Sequence, residues 1–220
     1  MSILIIGGSL SGLRAAERLR SEGWAGAITV VSAENHMPYN RPPLSKELLW
    51  GEDSPSDLEF ELSPLVADIQ WKMGVSATAL NINEKRVELS NGESLTYEGL
   101  VIATGVKSRR LNAPGPQDGR VILRTLDDAV TLKDKLKSGL KLVILGAGFI
   151  GCEVASTARK LGCEVDVVAM DEVAMQVPLG KMVGAEIQRR HEAEGVRFHM
   201  GVSIAELQGE GKVQQVVLTD

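Results

Sequence analysis

A chain of 220 residues can form one large core or two small ones, and 44% hydrophobic with 24% charged residues excludes a disordered or fibrous class. A formal net charge of −5 leaves no basic footprint for nucleic acid, and no apolar run approaches the roughly 20 residues that span a bilayer; neither nucleic acid nor membrane is therefore an expected partner. Two cysteines, Cys152 and Cys163, fit neither a metal pattern nor a disulfide framework, so no metal site is assigned and a reducing cytoplasm is the expected location.

Residues 2–6 form a nearly unbroken aliphatic run, read as a buried parallel strand. Gly7-Gly8-Ser9-Leu10-Ser11-Gly12 follows, then a helical pattern over 12–22 with Leu13, Ala16 and Leu19 on one face, a stop at Gly23 and a strand over 27–32. Residues 37–64, rich in proline and charge, read as loop with a short helix. Asn91-Gly92 between alternating apolar residues signals a hairpin within 75–97, and 100–103 reads as a short strand. Residues 114–119 are a proline- and glycine-rich crossing, which divides the chain into domains 1–110 and 111–220. The opening grammar then recurs: strand over 141–145, glycine turn over 146–151, helix over 152–161, stop at Gly162, strand over 164–169. Gly146 lies 139 residues after Gly7, too far for a solenoid repeat. Two further strands are expected over 197–201 and 212–218. The fold class is α/β, with two Rossmann-like three-layer (ββα) dinucleotide-binding domains.

Gly146-Ala147-Gly148-Phe149-Ile150-Gly151 is a complete G-x-G-x-x-G between a strand and a helix. Its glycines permit a tight turn, close approach to a pyrophosphate and close helix–strand packing, and the helix start offers free N–H groups. Gly146, Gly148, Phe149, Ile150 and Gly151 are therefore candidate dinucleotide contacts. The first turn carries serine at the middle position, making Gly7, Ser9, Leu10, Ser11 and Gly12 a less specific version of the same site. Glu34 follows Gly12 by 22 residues, about the spacing of an acid that binds a ribose diol. In the second unit that place falls on Ala169; Asp171 is the nearby alternative. No arginine or lysine follows closely to attract a 2′-phosphate, so the choice between NAD(H) and NADP(H) stays open.

The most specific segment is Pro38-Tyr39-Asn40-Arg41-Pro42-Pro43-Leu44-Ser45-Lys46-Glu47. It resembles the P-Y-[DN]-R-P-P-L-S-K signature of the FAD-dependent ferredoxin and rubredoxin reductases (putidaredoxin-type) that serve bacterial oxygenases. Leu100 to Gly105 resembles their second flavin-contacting strand and turn, and Leu123 to Ala129 the passage into their NAD domain. The resemblance covers all 220 residues but only about the first half of such chains. It implies FAD on the turn from Gly7 to Gly12, with Ala33 or Glu34 near the ribose. Arg41 and Lys46 would flank the flavin, and Ala77, Ala103, Thr104, Gly105 and Arg124 would add contacts. It also implies that Lys46 pairs with Glu153 across a crevice between the two domains as the catalytic pair, the ammonium stabilising negative charge that develops on the ring.

The implied activity is NAD(P)H oxidation through FAD to a small iron–sulfur or rubredoxin acceptor. Disulfide reductases of the glutathione reductase type carry a C-x4-C pair early in the chain; here no cysteine precedes Cys152. Family chains continue with a strand closing the NAD domain and a second FAD segment, so the fold is expected to be truncated and another chain is a possible cover for its open edges. The rival readings are a non-catalytic dinucleotide-binding fragment and a redox-sensing interaction module.

Overall fold

The computed structural model of the chain describes residues 1–51 and 53–219 and contains two compact units. The first comprises Met1–Arg41 with Pro55–Lys107, the second Pro42–Ser54 with Ser108–Asp220.

In the first unit, β1 (Ser2–Ile6) leads into α1 (Leu10–Ser21), then β2 (Ala27–Val31), β3 (Gln70–Lys72), β4 (Ala77–Asn81), β5 (Arg86–Leu89), β6 (Ser94–Thr96) and β7 (Gly99–Ile102). The parallel sheet runs β3-β2-β1-β7, with Ile5 opposite Val30 on one side and Val101 on the other. Side chains alternate faces along β1. Ile5 packs with Leu13 and Ala16 of α1, whereas Leu4 and Ile6 pack with Val87 and Leu89 of the antiparallel β4-β5-β6 sheet. The parallel sheet is thus covered on one side by helix and on the other by sheet. Because both faces are buried, β1 and β2 read as continuous β-branched and aliphatic runs. The hairpin forms at the expected place: the Asn91 side chain accepts from the Glu93 N–H, and the Gly92 N–H donates to Leu89 O to close the turn.

The second unit contains α2 (Glu47–Trp50), α3 (Leu126–Lys135), β8 (Lys141–Leu145), α4 (Phe149–Lys160), β9 (Glu164–Ala169), α5 (Gln176–Ala193), β10 (Val196–Met200), β11 (Ile204–Gln208) and β12 (Gln215–Leu218). Its parallel sheet runs β10-β9-β8, and β11 pairs antiparallel with β12. Gly180 (φ 77°, ψ 169°) breaks α5 into two helical pieces. The parallel sheet, crossover helix and glycine turn repeat those of the first unit down to single hydrogen bonds. The Gly7 N–H reaches Val31 O at 2.8 Å, and the Gly146 N–H reaches Val168 O at 2.8 Å. Both units are Rossmann-like.

The structure departs from the sequence reading in three respects. Helices α1 and α4 begin at Leu10 and Phe149, two or three residues before the expected starts, because the last half of each glycine motif is already the first helical turn. The division is not a single cut at 110/111: residues 42–54 cluster with the second unit, where α2 packs on α3 and α4. The expected crossing at 114–119 also lies inside that unit. Leu207 donates to Pro114 O, Val213 to Asp118 O, and the Arg120 guanidinium gathers the carbonyls of Leu111, Ala113, Gly115 and Pro116. No helix among the described residues is long and apolar enough to cross a membrane.

Candidate functional site

The first glycine turn is held by backbone contact that leaves no room for a side chain. Gly7 has φ +118°, and a Cβ on it would stand 2.1 Å from Ala103 O, just beyond β7; one on Gly12 would stand 1.9 Å from Gly7 O. Gly7 thus supplies the positive φ that the turn needs, and Gly12 lets α1 approach it. Ser9 caps α1 by position, yet its side chain makes no capping hydrogen bond and the first turn holds no acid. Leu10 and Ser11 are exposed there. The helix therefore presents unsatisfied N–H groups suited to an anion.

Glu34, Tyr39 and Arg41 gather at this turn. The Tyr39 hydroxyl, buried at 4% exposure, donates to Glu34 Oε2 at 2.6 Å and accepts from Arg41 Nη1 at 2.9 Å. Arg41 Nη2 donates to Glu34 Oε1 at 2.5 Å, and the same guanidinium lies 3.4 Å from Ser9 Oγ. A fixed cation thus stands over an open helix start, a fitting arrangement for a pyrophosphate. Ala33 is exposed beside Glu34, while Ala77 lines an apolar groove of about 230 Å³ with Ile6, Leu100 and Ile102. Thr104 and Gly105 continue beyond Ala103 as exposed irregular chain. The residues expected around the first cofactor and belonging to this unit therefore cluster at the carboxyl end of its parallel strands, the usual ligand side of such sheets.

The second turn is more open. Gly146 has φ +107°, and no atom lies within 4 Å of a Cβ built on Gly146 or Gly148. A Cβ on Gly151 would stand 2.0 Å from Gly146 O, repeating the contact at Gly12. Helix α4 likewise has no side-chain cap and no acid in its first turn, and Phe149 and Ile150 are exposed. By contrast α3, which follows no glycine turn, carries a complete capping box between Thr125 and Asp128. Side-chain capping is absent at α2 and α5 as well, so what sets α1 and α4 apart is the glycine turn that precedes each uncapped start. Met175 adopts a left-handed conformation (φ 55°) rare for its type, and its N–H donates to Ala147 O at 2.8 Å, anchoring the start of α5 to the turn.

Lys46 and Glu153 meet: Nζ lies 2.9 Å from Oε1, with side chains 34% and 29% exposed. The contact is internal to the second unit, not across a crevice between domains, because the segment bearing Lys46 folds with α4. Two residues not singled out from sequence fix it. Ser45, buried, donates to Glu153 Oε2 at 2.6 Å, and Thr157, one turn along α4 from Glu153, donates to Ser45 O at 2.8 Å. Lys46 Nζ also reaches Pro42 O at 3.3 Å. Carboxylate and ammonium are therefore held from both sides yet remain partly solvated, so the pair avoids the full cost of burial. Arg124 lies half-buried just before α3, its N–H donating to Asp128 Oδ2 at 3.0 Å. Asp171 sits half-buried in the loop after β9.

Neither cysteine carries redox geometry. Both are buried as free thiols, and burial, with the neighbouring Glu153 carboxylate adding, pushes the Cys152 thiol up to about 11; burial also raises that of Cys163. No cluster of three metal-ligating side chains occurs among the described residues. Sequence reasoning had one handle on Tyr39, its place in the proline-rich motif. It had none on Thr157, whose hydrogen bond spans 112 residues of chain.

The profile of the pyridine nucleotide-disulphide oxidoreductase family matches residues 1–220. The chain is 36% identical to the ferredoxin–NAD(+) reductase subunit of the benzene 1,2-dioxygenase system of Pseudomonas putida, covering 99% of this chain and 54% of that protein. It is 34% identical to a rubredoxin–NAD(+) reductase of the same species, covering 99% and 58%. Among solved structures it matches a ferredoxin reductase from Rhodopseudomonas palustris with a TM-score of 0.92 at 34% identity, over 99% of this chain and 55% of the other. It matches the covalent putidaredoxin reductase–putidaredoxin complex with a TM-score of 0.91 at 30% identity, over 99% and 54%. The chain spans about half the length of the curated relatives it matches. With the family profile matched from end to end and two glycine turns of the same build, the chain belongs to the pyridine nucleotide-disulphide oxidoreductase family.

Proposed function

We propose that the chain is the cofactor-binding portion of an FAD-dependent NAD(P)H oxidoreductase that passes electrons to a ferredoxin- or rubredoxin-like acceptor. The observation that carries this reading is the pair of uncapped helix starts behind glycine turns, one of them overlooked by a fixed arginine. FAD, when bound, supplies the chemistry of accepting a hydride and releasing electrons singly, while the protein contributes binding, orientation and electrostatics. Gly7, Ser9, Leu10, Ser11 and Gly12 would hold its pyrophosphate through backbone N–H groups. Arg41 would neutralise phosphate charge, and Ala33, Glu34, Ala77, Ala103, Thr104, Gly105 and Arg124 would complete the contacts. Gly146, Gly148, Phe149, Ile150 and Gly151, with Asp171, would hold the nicotinamide coenzyme. Lys46, paired with Glu153, whose other carboxylate oxygen accepts from Ser45, would offset negative charge arriving on the ring.

Both thiols of this chain are buried and unpaired, so it offers no dithiol relay, and the electrons that bound FAD would supply would go to an outside acceptor. The names of the relatives favour a small iron–sulfur protein or rubredoxin in that role. A cytoplasmic location suits two free thiols. Titrating the purified chain with FAD tests the cofactor assignment. Saturable uptake at one FAD per chain, weakened at least tenfold by Arg41→Ala, is expected; a chain that takes up no FAD overturns it.

A further inference from the structure

The two units share more than their glycine turns, and the shared bonds place one further residue. In the first unit the N–H of Val75 donates to Ser32 O at 2.8 Å and that of Gly74 to Glu34 O at 3.1 Å. In the second the N–H of Val202 donates to Ala169 O at 3.2 Å and that of Gly201 to Asp171 O at 3.0 Å. Starting from the carbonyls of Val31 and Val168, which hold the two glycine turns, Ser32 corresponds to Ala169 and Glu34 to Asp171. The equivalence rests on three matched pairs of backbone bonds and is independent of any sequence motif.

The side chains around Asp171 narrow its role. Ala169 is buried and has no polar atom, and Met170 is 78% exposed. Both Glu172 carboxylate oxygens are taken by Lys181, at 2.7 and 2.8 Å. Arg197 is engaged by Asp166 at 2.7 and 2.9 Å, and His199 by the same carboxylate. Among the described residues no donor satisfies the Asp171 carboxylate, whereas its counterpart Glu34 is held by Tyr39 and Arg41. The loop after β9 therefore offers one free, half-buried carboxylate and no free cation at the end of a nucleotide-binding strand.

We propose that Asp171 is the coenzyme-selecting residue of the second unit, accepting hydrogen bonds from an unphosphorylated ribose diol and repelling a 2′-phosphate. This assignment deepens the proposed function and rests on the second turn binding a nicotinamide dinucleotide. A carboxylate can accept from both hydroxyls of a diol, whereas a 2′-phosphate brings close to two further negative charges against it. The role usually falls at the strand end, at residue 169 in this chain, where alanine cannot perform it. Asp171 supplies the acid two residues later, from the slot that holds Glu34 in the first unit.

Calorimetric titration of the purified chain with NADH and with NADPH tests this without requiring turnover. The unmodified chain is expected to bind NADH at least about tenfold more tightly than NADPH. Asp171→Asn should bring the two within about threefold, while Glu172→Gln, a control whose carboxylate is already paired, should keep the preference. Equal binding of both coenzymes by the unmodified chain, or a preference that survives Asp171→Asn, overturns the assignment and leaves the dinucleotide site standing. Binding of neither coenzyme by the folded chain overturns the proposed function as well. Because the Asp171 carboxylate has no hydrogen-bond or ion-pair partner among the described residues, the variant is expected to give the same circular dichroism spectrum and unfolding midpoint as the parent.

Discussion

Thr157 shows how a single hydroxyl can set the position of a charged pair. A mid-helix threonine commonly bonds back to its own helix, yet this one leaves α4 to meet Ser45 O at 2.8 Å with 1% exposure. Removing it would leave a buried carbonyl unsatisfied, which costs about 1–3 kcal/mol. Thr157→Val is therefore expected to lower stability by about 2 kcal/mol in urea unfolding, with Thr157→Ser recovering most of it. Lys46 and Glu153 were legible from sequence because both stand in or beside motifs that resemblance could align. Ser45 stands inside the motif with nothing local to mark its bond to Glu153, and Thr157 was invisible, since nothing local distinguishes a tether to residue 45 from an ordinary helical threonine. Tyr39 belongs with these: its link between Glu34 and Arg41 exists only once the loop has folded back on the turn.

At the scale of elements, the second and third glycines of the second turn separate folding from binding. Gly151 needs its missing side chain to fold, because a Cβ there would overlap Gly146 O at 2.0 Å. Gly148 has an ordinary extended φ of −82° and open space around the Cβ position, so nothing in the protein forbids a side chain. Gly151→Ala is expected to cost about 2 kcal/mol or more in denaturant unfolding through backbone strain. Gly148→Ala is expected to change stability by no more than about 0.5 kcal/mol. It should nevertheless weaken NADH binding, measured by calorimetry, at least about tenfold, because its methyl occupies pyrophosphate space. A Gly148→Ala chain that binds as tightly as the parent would contradict that use of the turn. The strands β1, β2, β8 and β9 and the hairpin were legible because their aliphatic runs and the Asn-Gly step are local signals. Strand β3 was not: three residues, Gln70-Trp71-Lys72, are too short to show a period, and only pairing with β2 makes them a strand. The start of α3 was signalled by Thr125 and Asp128, but those residues read as part of a crossing between domains.

For the whole molecule, sequence showed two nucleotide-binding units but misplaced their boundaries. Domain cuts were sought where proline and glycine accumulate, at 114–119, yet that segment is tied into the second unit by Arg120 and by its bonds to the β11–β12 region. The loop over 42–54 could not be assigned from its position in the chain, since its apolar residues Leu44, Leu48 and Leu49 become buried only by folding with the later unit. The clustering of this segment places Lys46 in the same unit as the second glycine turn. The claim that both units serve one transfer is tested most directly by adding NADH, without oxygen, to the chain loaded with FAD. Loss of the visible flavin absorbance, slowed at least about tenfold by Lys46→Ala, is the result predicted. NADH that binds the FAD-loaded chain while the absorbance stays unchanged would contradict it.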